Sequence, residues 1–229
     1  AVRWLWSFKP LELSNALWGF AKLDVKHATL FQSAHDSILG RTHLFREQSL
    51  SMAAWAFAAI HFGACHGLLC RLADVFVSSL RSRDDVRPVS MVNLVWALAT
   101  AGVQAQEETL QALGNMAAAK LQSFKTHELS ILLWAFARLS CFHEVLFMRA
   151  MVLISSSHRF QEDVLSRDIV NYLWAFARYS ESKPDSGGQQ FPGMIAALRP
   201  TLMRRLPMLN LVELSSSVWA ISKLVPRWG

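Results

Sequence analysis

The sequence has few cysteines and few charged residues. Its 229 residues include three cysteines, Cys65, Cys70 and Cys141. So few, in an odd number, do not form the disulfide framework of a secreted domain, and we expect a reducing compartment. Charged residues make up 17% of the chain and hydrophobic residues 52%, an apolar composition for a soluble domain. A chain of this length and composition can bury a sizeable core.

The sequence also lacks the common catalytic motifs. It contains neither the phosphate-binding pattern G-x-x-x-x-G-K-[ST] nor the nucleophile pattern G-x-S-x-G. Asp84 and Asp85 are neighbouring carboxylates, but they belong to the charged segment "RSRDDVRP", which is typical of a solvated loop. We therefore predict that the chain is not an enzyme, has no cofactor and binds no small-molecule substrate.

One short segment, "HFGACHGLLC", brings four possible zinc ligands together: His61, Cys65, His66 and Cys70. On a continuous helix they form two i,i+4 pairs that point more than about 100° apart, which does not suit one tetrahedral site. We interpret the cysteines as small apolar residues and the histidines as turn residues. No metal site is predicted.

The longest stretch without Asp, Glu, Lys or Arg covers residues 48–70, and that length is enough to span a bilayer. However, the stretch contains polar residues such as Gln48 and His66, and similar segments later in the chain carry Arg138 and Arg178. A buried helical hairpin explains the stretch better than a membrane helix does. We predict no membrane span.

What the sequence does contain is a recurring tryptophan segment. "LLWAFARLS" at residues 132–140 closely matches "LWAFARYS" at 173–180. Looser copies are "LWGFAKL" at 17–23, "AWAFAAI" at 54–60, "VWALATA" at 95–101 and "VWAISKL" at 218–224. The six tryptophans are Trp18, Trp55, Trp96, Trp134, Trp174 and Trp219, with spacings of 37, 41, 38, 40 and 45 residues.

These spacings are typical of a repeat of two helices, and we predict an all-α solenoid of helical hairpins with a period of about 37–45 residues. The whole chain, 1–229, is predicted to be one solenoid fragment. The longest spacing contains "ESKPDSGGQQFPG" (181–193), which is predicted to be a loop. The repeats are placed at about 10–46, 47–87, 88–125, 126–165 and 166–210, with a partial repeat at 211–229 and the end of a preceding repeat at 1–9.

Within each repeat the tryptophan, taken as position 0, marks the first helix. Positions −5, −1, +2 and +3 are almost always apolar or small, and at about 100° per residue they share one side of a helix. They predict the core stripe, with the tryptophan at its edge. The helix is expected to begin near position −8, because Pro10 and Pro88 suit a first turn there and an acidic residue often follows at −6.

Two further positions, −3 and +4, lie beside the tryptophan and away from the core stripe. Position −3 is often a short polar residue: Asn15, Asn93, Asn171 and Ser216. Position +4 is often a cation: Lys22, Arg138, Arg178 and Lys223. The first set suits hydrogen bonds to RNA bases or sugars, and the second suits contacts with RNA phosphates. A local cap explains an asparagine equally well, and the helix dipole explains a late cation.

A second set of cations precedes the first helices at position −9: Lys9, Arg46, Arg87 and Lys125. Leu165 and Asn210 interrupt this row in the last two repeats. The formal net charge is +6, which favours an acidic partner such as nucleic acid but is also compatible with a solvated surface. We predict that the −9 cations also contact RNA phosphates.

The repeated "LWAFAR", "LWGFAK" and "VWAISK" segments resemble the repeats of organellar RNA-binding proteins. These are the heptatricopeptide and octotricopeptide repeat proteins, often ending in a RAP domain, and the related FAST-kinase-domain family. The resemblance implies a mitochondrial protein (or a plastid one) that binds and stabilises a transcript or ribosomal RNA. It also implies other protein partners in a ribonucleoprotein such as the mitochondrial ribosome. The alternative is a protein–protein scaffold of a large assembly that does not read RNA.

Overall fold

A computed structural model describes residues 3–80, 86–183 and 191–225. Over these ranges the chain forms α-helices and short 3₁₀ turns and contains no β-strand. The predicted all-α class is therefore confirmed, whereas the solenoid arrangement, its period and the single-fragment domain assignment stay predictions. Asp84 and Asp85 lie outside the described residues, as do residues 184–190 of the predicted loop.

Twelve α-helices are described, and they alternate between two kinds. The first helices, which carry the tryptophans, are α1 (Pro10–Lys22), α3 (Glu47–Ala59), α5 (Pro88–Ala101), α7 (Thr126–Arg138), α10 (Ser166–Ser182) and α12 (Leu211–Leu224). The second helices are α2 (Ala28–Leu39), α4 (His66–Leu80), α6 (Glu107–Ala119), α8 (Glu144–Ser156) and α11 (Phe191–Arg205). A short helix, α9 (His158–Glu162), follows α8 and was not predicted.

Every first helix begins at position −8, as predicted. A proline or a hydrogen-bonding carboxylate stabilises the first turn in several of them. Pro10 and Pro88 occupy the first helical position of α1 and α5. In α1 and α7 the carboxylate at −6 accepts a hydrogen bond from the backbone N–H at −9, with distances of 2.9 Å for Glu12 and 2.8 Å for Glu128. Such a bond satisfies a backbone donor that the helix leaves without a partner.

Most first helices also end in the same way. The residue at +6 has a left-handed backbone in four copies: Asp24, His61, Gly102 and Ser140, with φ between 52° and 65°. The N–H that follows it bonds back to the carbonyl at +2, as in Val103 to Leu98 at 2.9 Å, and closes the helix. Helix α10 is different, because it continues through this position to Ser182. The prediction of a loop from residue 181 is wrong at both ends, since α10 includes Glu181 and α11 begins at Phe191.

The chain divides into two compact units, Ala1–Leu113 and Gly114–Gly229. In unit 1, α3 packs between α1 and α5, and the second helix α4 packs on α3 and α5. The Ser14 hydroxyl in α1 donates to the Ser49 carbonyl in α3 at 2.9 Å. Phe57 packs against Phe31 of α2 with ring centres 5.4 Å apart, so residues at +2 fill the space between first and second helices.

In unit 2, α10 packs between α7 and α12, and α11 packs on α8. Two buried polar contacts join α7 to α10: Ser130 donates to the Asp168 carboxylate, and Tyr172 donates to the Thr126 carbonyl, both at 2.7 Å. Burial, with a smaller contribution from the Asp168 carboxylate, raises the pKa of Tyr172 well above its ordinary value. The tyrosine therefore stays neutral and keeps its hydrogen bond.

The predicted core stripe is fully buried in α3, α5, α7 and α10. It is wrong in part for the first and last copies. Phe20 is 36% exposed, and Val218 is 62% exposed. Phe20 lies in the first copy, and no second helix precedes it among the described residues: its equivalents pack on the second helix of the preceding repeat, as Phe57 and Phe176 do on α2 and α8. Val218 lies in the last copy, and no helix follows α12 among the described residues.

Candidate nucleic-acid interface

Each of the four central first helices exposes one narrow line of side chains. Between positions −7 and +4 of α3, α5, α7 and α10, every residue is buried except those at −7, −3, 0 and +4. Steps of four, three and four residues keep these positions on one side of a helix. We call the positions −7, −3, 0 and +4 of each first helix the exposed strip.

The exposed strip contains the residues that the sequence assigns to base or sugar contacts. Asn15 is exposed, and Asn93, Asn171 and Ser216 are half-buried. The tryptophans lie beside them: Trp18 is 38% exposed, and the other five are half-buried. The tryptophans are thus surface residues of the strip as well as the edge of the core, so that amide and aromatic groups are presented together.

In unit 1 the tryptophans form a ladder. The rings of Trp55 and Trp96 are stacked, with centres 5.6 Å apart and planes at 25°, and Trp18 is tilted against Trp55 at 6.2 Å. Lys22 lies over both Trp18 and Trp55, with its Nζ 5.3 Å and 4.8 Å from the two ring centres. One cation therefore covers the strip of two repeats, including α3, whose own strip has Met52 and Ala59 in place of an amide and a cation.

In unit 2 the strip is richer in cations. Arg138 is exposed and lies over its own Trp134 at 6.0 Å. Arg178 and Lys223, at the same position of α10 and α12, both form ion pairs with Glu181, at 3.0 Å each. The hydrogen bond from Lys223 is the largest influence on Glu181 and lowers the pKa of this carboxyl below its ordinary value, with Arg178 contributing as well. Glu181 is therefore ionised at neutral pH and offsets positive charge on the strip.

The row at −9 has an unexpected structural role, because it is the N-cap of every first helix. Lys9, Arg46, Arg87 and Lys125 cap α1, α3, α5 and α7 without a side-chain cap bond. Asn210 caps α12, because its side-chain Oδ1 accepts a hydrogen bond from the Glu213 N–H at 2.9 Å. Cations are unfavourable at a helix N-terminus because the helix dipole is positive there, and asparagine and serine are preferred as N-caps. All four are exposed, so the chain keeps positive charge at a place where it costs helix stability.

Three features of the strip were missed by the sequence interpretation. His127 and Arg167 extend it at position −7 and are exposed; a step of four residues before −3 would have found them. Glu181, seven residues after Trp174, was assigned to a loop. Its spacing places it on the strip only once α10 is known to continue.

The possible zinc ligands of the "HFGACHGLLC" segment lie partly in a turn and partly in a helix. His61 is in the left-handed turn after α3, Cys65 is buried before α4 and Cys70 is half-buried within α4. The described residues hold no group of three or more His, Cys, Asp or Glu side chains arranged for a metal ion. None of the described helices combines the length and the apolar character needed to cross a bilayer.

Comparison of the chain with models of known protein families and with curated proteins finds no match.

Proposed function

We propose that the chain is an organellar RNA-binding helical-repeat protein, an α-solenoid that binds and stabilises a transcript or ribosomal RNA through the exposed strips of its first helices. The single observation that carries the proposal is the strip itself. On the solvent-facing side of the central first helices, ten of the sixteen strip positions are amides, cations or tryptophans, and the other six are Met52, Ala59, Val89, Thr100, His127 and Ile131. A mitochondrial location, a plastid alternative and a place in a ribonucleoprotein follow from the sequence resemblance alone.

The chemistry of the strip suits RNA. An asparagine amide both donates and accepts hydrogen bonds, so Asn15, Asn93 and Asn171 match base edges and the 2′-hydroxyl. The exposed part of each tryptophan ring can stack on an RNA base. The cations Lys22, Arg138, Arg178 and Lys223 are the groups that bind phosphate. No bond is broken in this function, and no cofactor or small substrate is involved.

The −9 row supplies a second line of positive charge. It is separated from position +4 by thirteen residues, which is about 20 Å along an α-helix. A single RNA phosphate can therefore contact either the −9 cation or the +4 cation of one helix, but not both. Lys9, Arg46, Arg87 and Lys125 thus add phosphate contacts that are independent of the strip.

The test is binding of a fluorescein-labelled, mixed-sequence single-stranded RNA at several salt concentrations. The variant Arg138→Gln/Arg167→Gln removes two strip cations of unit 2. We expect its affinity to be about tenfold lower at low salt. The slope of log K against log salt should fall by about 1.4, because each lost phosphate contact contributes about 0.7 for a single strand.

The matched control is Arg199→Gln/Arg204→Gln, which removes two exposed arginines of the second helix α11 in the same unit. Its affinity and salt slope should stay close to those of the original protein. Equal losses in the two variants would show that only net charge matters. Absence of RNA binding by the unmodified protein at low salt would reject the proposed function.

A protein–protein scaffold is the second candidate, and one observation favours it. Helix α12 exposes an apolar surface, with Leu211 84%, Val212 73% and Val218 62% exposed, and contiguous apolar surface often marks a protein interface. A scaffold predicts that Val212→Lys/Val218→Lys releases the protein from sedimenting ribonucleoprotein particles. Arg138→Gln/Arg167→Gln would not release it.

A further inference from the structure

The extra turn of α10 carries an acidic residue onto the exposed strip. In α1, α3, α5 and α7 the left-handed residue at +6 stops the helix. In α10 the same position, Ser180, is helical, and the helix continues to Ser182. Glu181 therefore lies one residue later on the helix rather than in a loop, close to Arg178 of the preceding turn.

The carboxylate of Glu181 joins two neighbouring first helices. Its Oε2 lies 3.0 Å from Nη1 of Arg178 in α10, and its Oε1 lies 3.0 Å from Nζ of Lys223 in α12. The two cations occupy the same +4 position in consecutive repeats. They therefore converge on one anion, and each binds one of its two oxygens.

This arrangement is what a phosphodiester would require. A backbone phosphate, like a carboxylate, presents two oxygens that share one negative charge, and arginine and lysine are its usual ligands. The ion pairs are partly solvated, because the side chains of Arg178, Lys223 and Glu181 are 40%, 43% and 33% exposed. An incoming polyanion can therefore reach the cations, and exposed ion pairs of this kind are weak enough to exchange.

Building on the proposed function, we propose that Glu181 occupies the place of an RNA phosphate and competes with it for Arg178 and Lys223. Repeats five and six then bind RNA only as the carboxylate is displaced. The unmodified protein would bind most strongly through cations that lack this competitor, such as Arg138. Glu181 is thus a built-in anion that weakens non-specific binding by one section of the strip.

The test is Glu181→Gln, measured with the same labelled RNA and salt series. The glutamine keeps the size of the side chain but removes the negative charge. We expect binding about fivefold tighter at low salt and a steeper salt dependence, because two more cations become available to phosphate. The matched control is Glu162→Gln in α9, which removes an exposed acid that pairs with His158 at 3.0 Å and should change affinity by less than about twofold.

The gain must also depend on the two cations. Arg178→Gln/Lys223→Gln should lower the affinity of the unmodified protein by less than Arg138→Gln/Arg167→Gln does, and it should abolish the gain in the Glu181→Gln protein. If the unmodified protein binds RNA and Glu181→Gln binds no tighter than Glu162→Gln, the competition is rejected while the proposed function stands. If neither the unmodified protein nor Glu181→Gln binds RNA at low salt, both are rejected.

Discussion

The two units distribute the positive charge of their first helices differently. In unit 1 the helix starts are cationic, with Lys9, Arg46 and Arg87 as N-caps, and Lys22 is the one cation at +4. In unit 2 the strip itself is cationic, and one helix start, at Lys125, is basic. The strip cations of unit 2 are Arg138, Arg167, Arg178 and Lys223. One sequence motif therefore supports two different charge layouts.

The tryptophans differ in the same way. In unit 1 they contact one another in the ladder of Trp18, Trp55 and Trp96. Among the described residues of unit 2 no tryptophan rings are paired, and Trp134 and Trp219 each lie beneath a cation of their own helix at 6.0 Å. Unit 1 presents an aromatic and amide surface, and unit 2 presents separate rings with charge beside them.

The comparison shows where a repeat of this kind is free to vary. The buried positions meet neighbouring helices on several sides, so their size is fixed by close packing. The strip and the N-cap contact solvent. Substitutions there change the charge and the hydrogen-bonding groups of the surface, with little loss of stability. We expect unit 1 to contribute more of the base stacking, and we expect Arg138 and Arg167 to supply most of the salt-dependent RNA affinity of unit 2.

The largest effect that separates the units is expected for tryptophan removal. Trp55→Ala should lower the free energy of unfolding by about 3 kcal/mol, because it removes half-buried apolar area and two ring contacts worth about 0.5–1.5 kcal/mol each. Trp134→Ala, which removes no ring pair, should cost about 1–2 kcal/mol less. Urea denaturation followed by far-UV circular dichroism measures both. Equal losses would mean that the ladder adds nothing to unit 1.

A pair of glycine substitutions should change the two units in opposite directions. Gly114 is buried in α6, and a Cβ there would overlap the imidazole of His143. Gly114→Ala should therefore destabilise unit 2 by about 2 kcal/mol through overpacking and loss of the His143 hydrogen bonds. Gly19 in α1 has open space around it, so Gly19→Ala should stabilise unit 1 by about 0.5–1 kcal/mol.

Hydrogen exchange resolved by peptide can assign each effect to its unit. Protection should fall in α8 for Gly114→Ala and rise in α1 for Gly19→Ala. An alanine at 114 that leaves the protection of α8 unchanged would show that the His143 side chain has another place to go.

The parts of this structure that sequence reasoning reached are those set by periodicity and local chemistry. The helix starts near −8 were predicted because a first-turn proline or an acidic residue at −6 marks five of the six, and the core stripe was predicted because a helix repeats every 3.6 residues. Glu181 was missed because the local sequence does not indicate that α10 continues past position +6, where Asp24 and Ser140 follow the ends of α1 and α7. The Trp ladder of unit 1 was missed because contacts between helices depend on their relative placement.

The stability of unit 2 should vary with pH through His143, the N-cap of α8. Its Nδ1 accepts a hydrogen bond from the Leu146 N–H at 3.2 Å, and its Nε2 lies 3.0 Å from Oδ1 of Asn115. Nε2 is then the protonated nitrogen, and the ring is neutral. Burial lowers the pKa of His143 below its ordinary value of 6.5.

When folding lowers a histidine pKa, the folded state has its full stability at a pH above the pKa of the unfolded state. That stability decreases as the pH falls from there through the pKa of the folded state. We therefore expect stability to decrease from about pH 6.5 downward, by about 1 kcal/mol for the lost cap. His143→Asn keeps a capping oxygen without a titrating group and should flatten that part of the profile. Thermal melts across this pH range provide the measurement, and an unchanged profile in His143→Asn would assign the dependence to other groups.

The smallest expected effect addresses the charge layout directly. Arg46 caps α3 in unit 1 without a cap bond, and Asn210 caps α12 in unit 2 with one. Arg46→Asn should stabilise the protein by about 0.5–1 kcal/mol, because it adds a cap and removes a cation from the positive end of the helix dipole. The same change should weaken RNA binding, since one phosphate ligand is lost. Asn210→Arg should do the reverse and destabilise by a similar amount. Chemical denaturation and RNA titration of the two variants together decide whether the N-cap cations contribute to binding. If Arg46→Asn is more stable and binds RNA equally well, the cation at −9 has no role in RNA binding. If its stability rises and its RNA affinity falls, the row at −9 is a binding surface that lowers the stability of the helices.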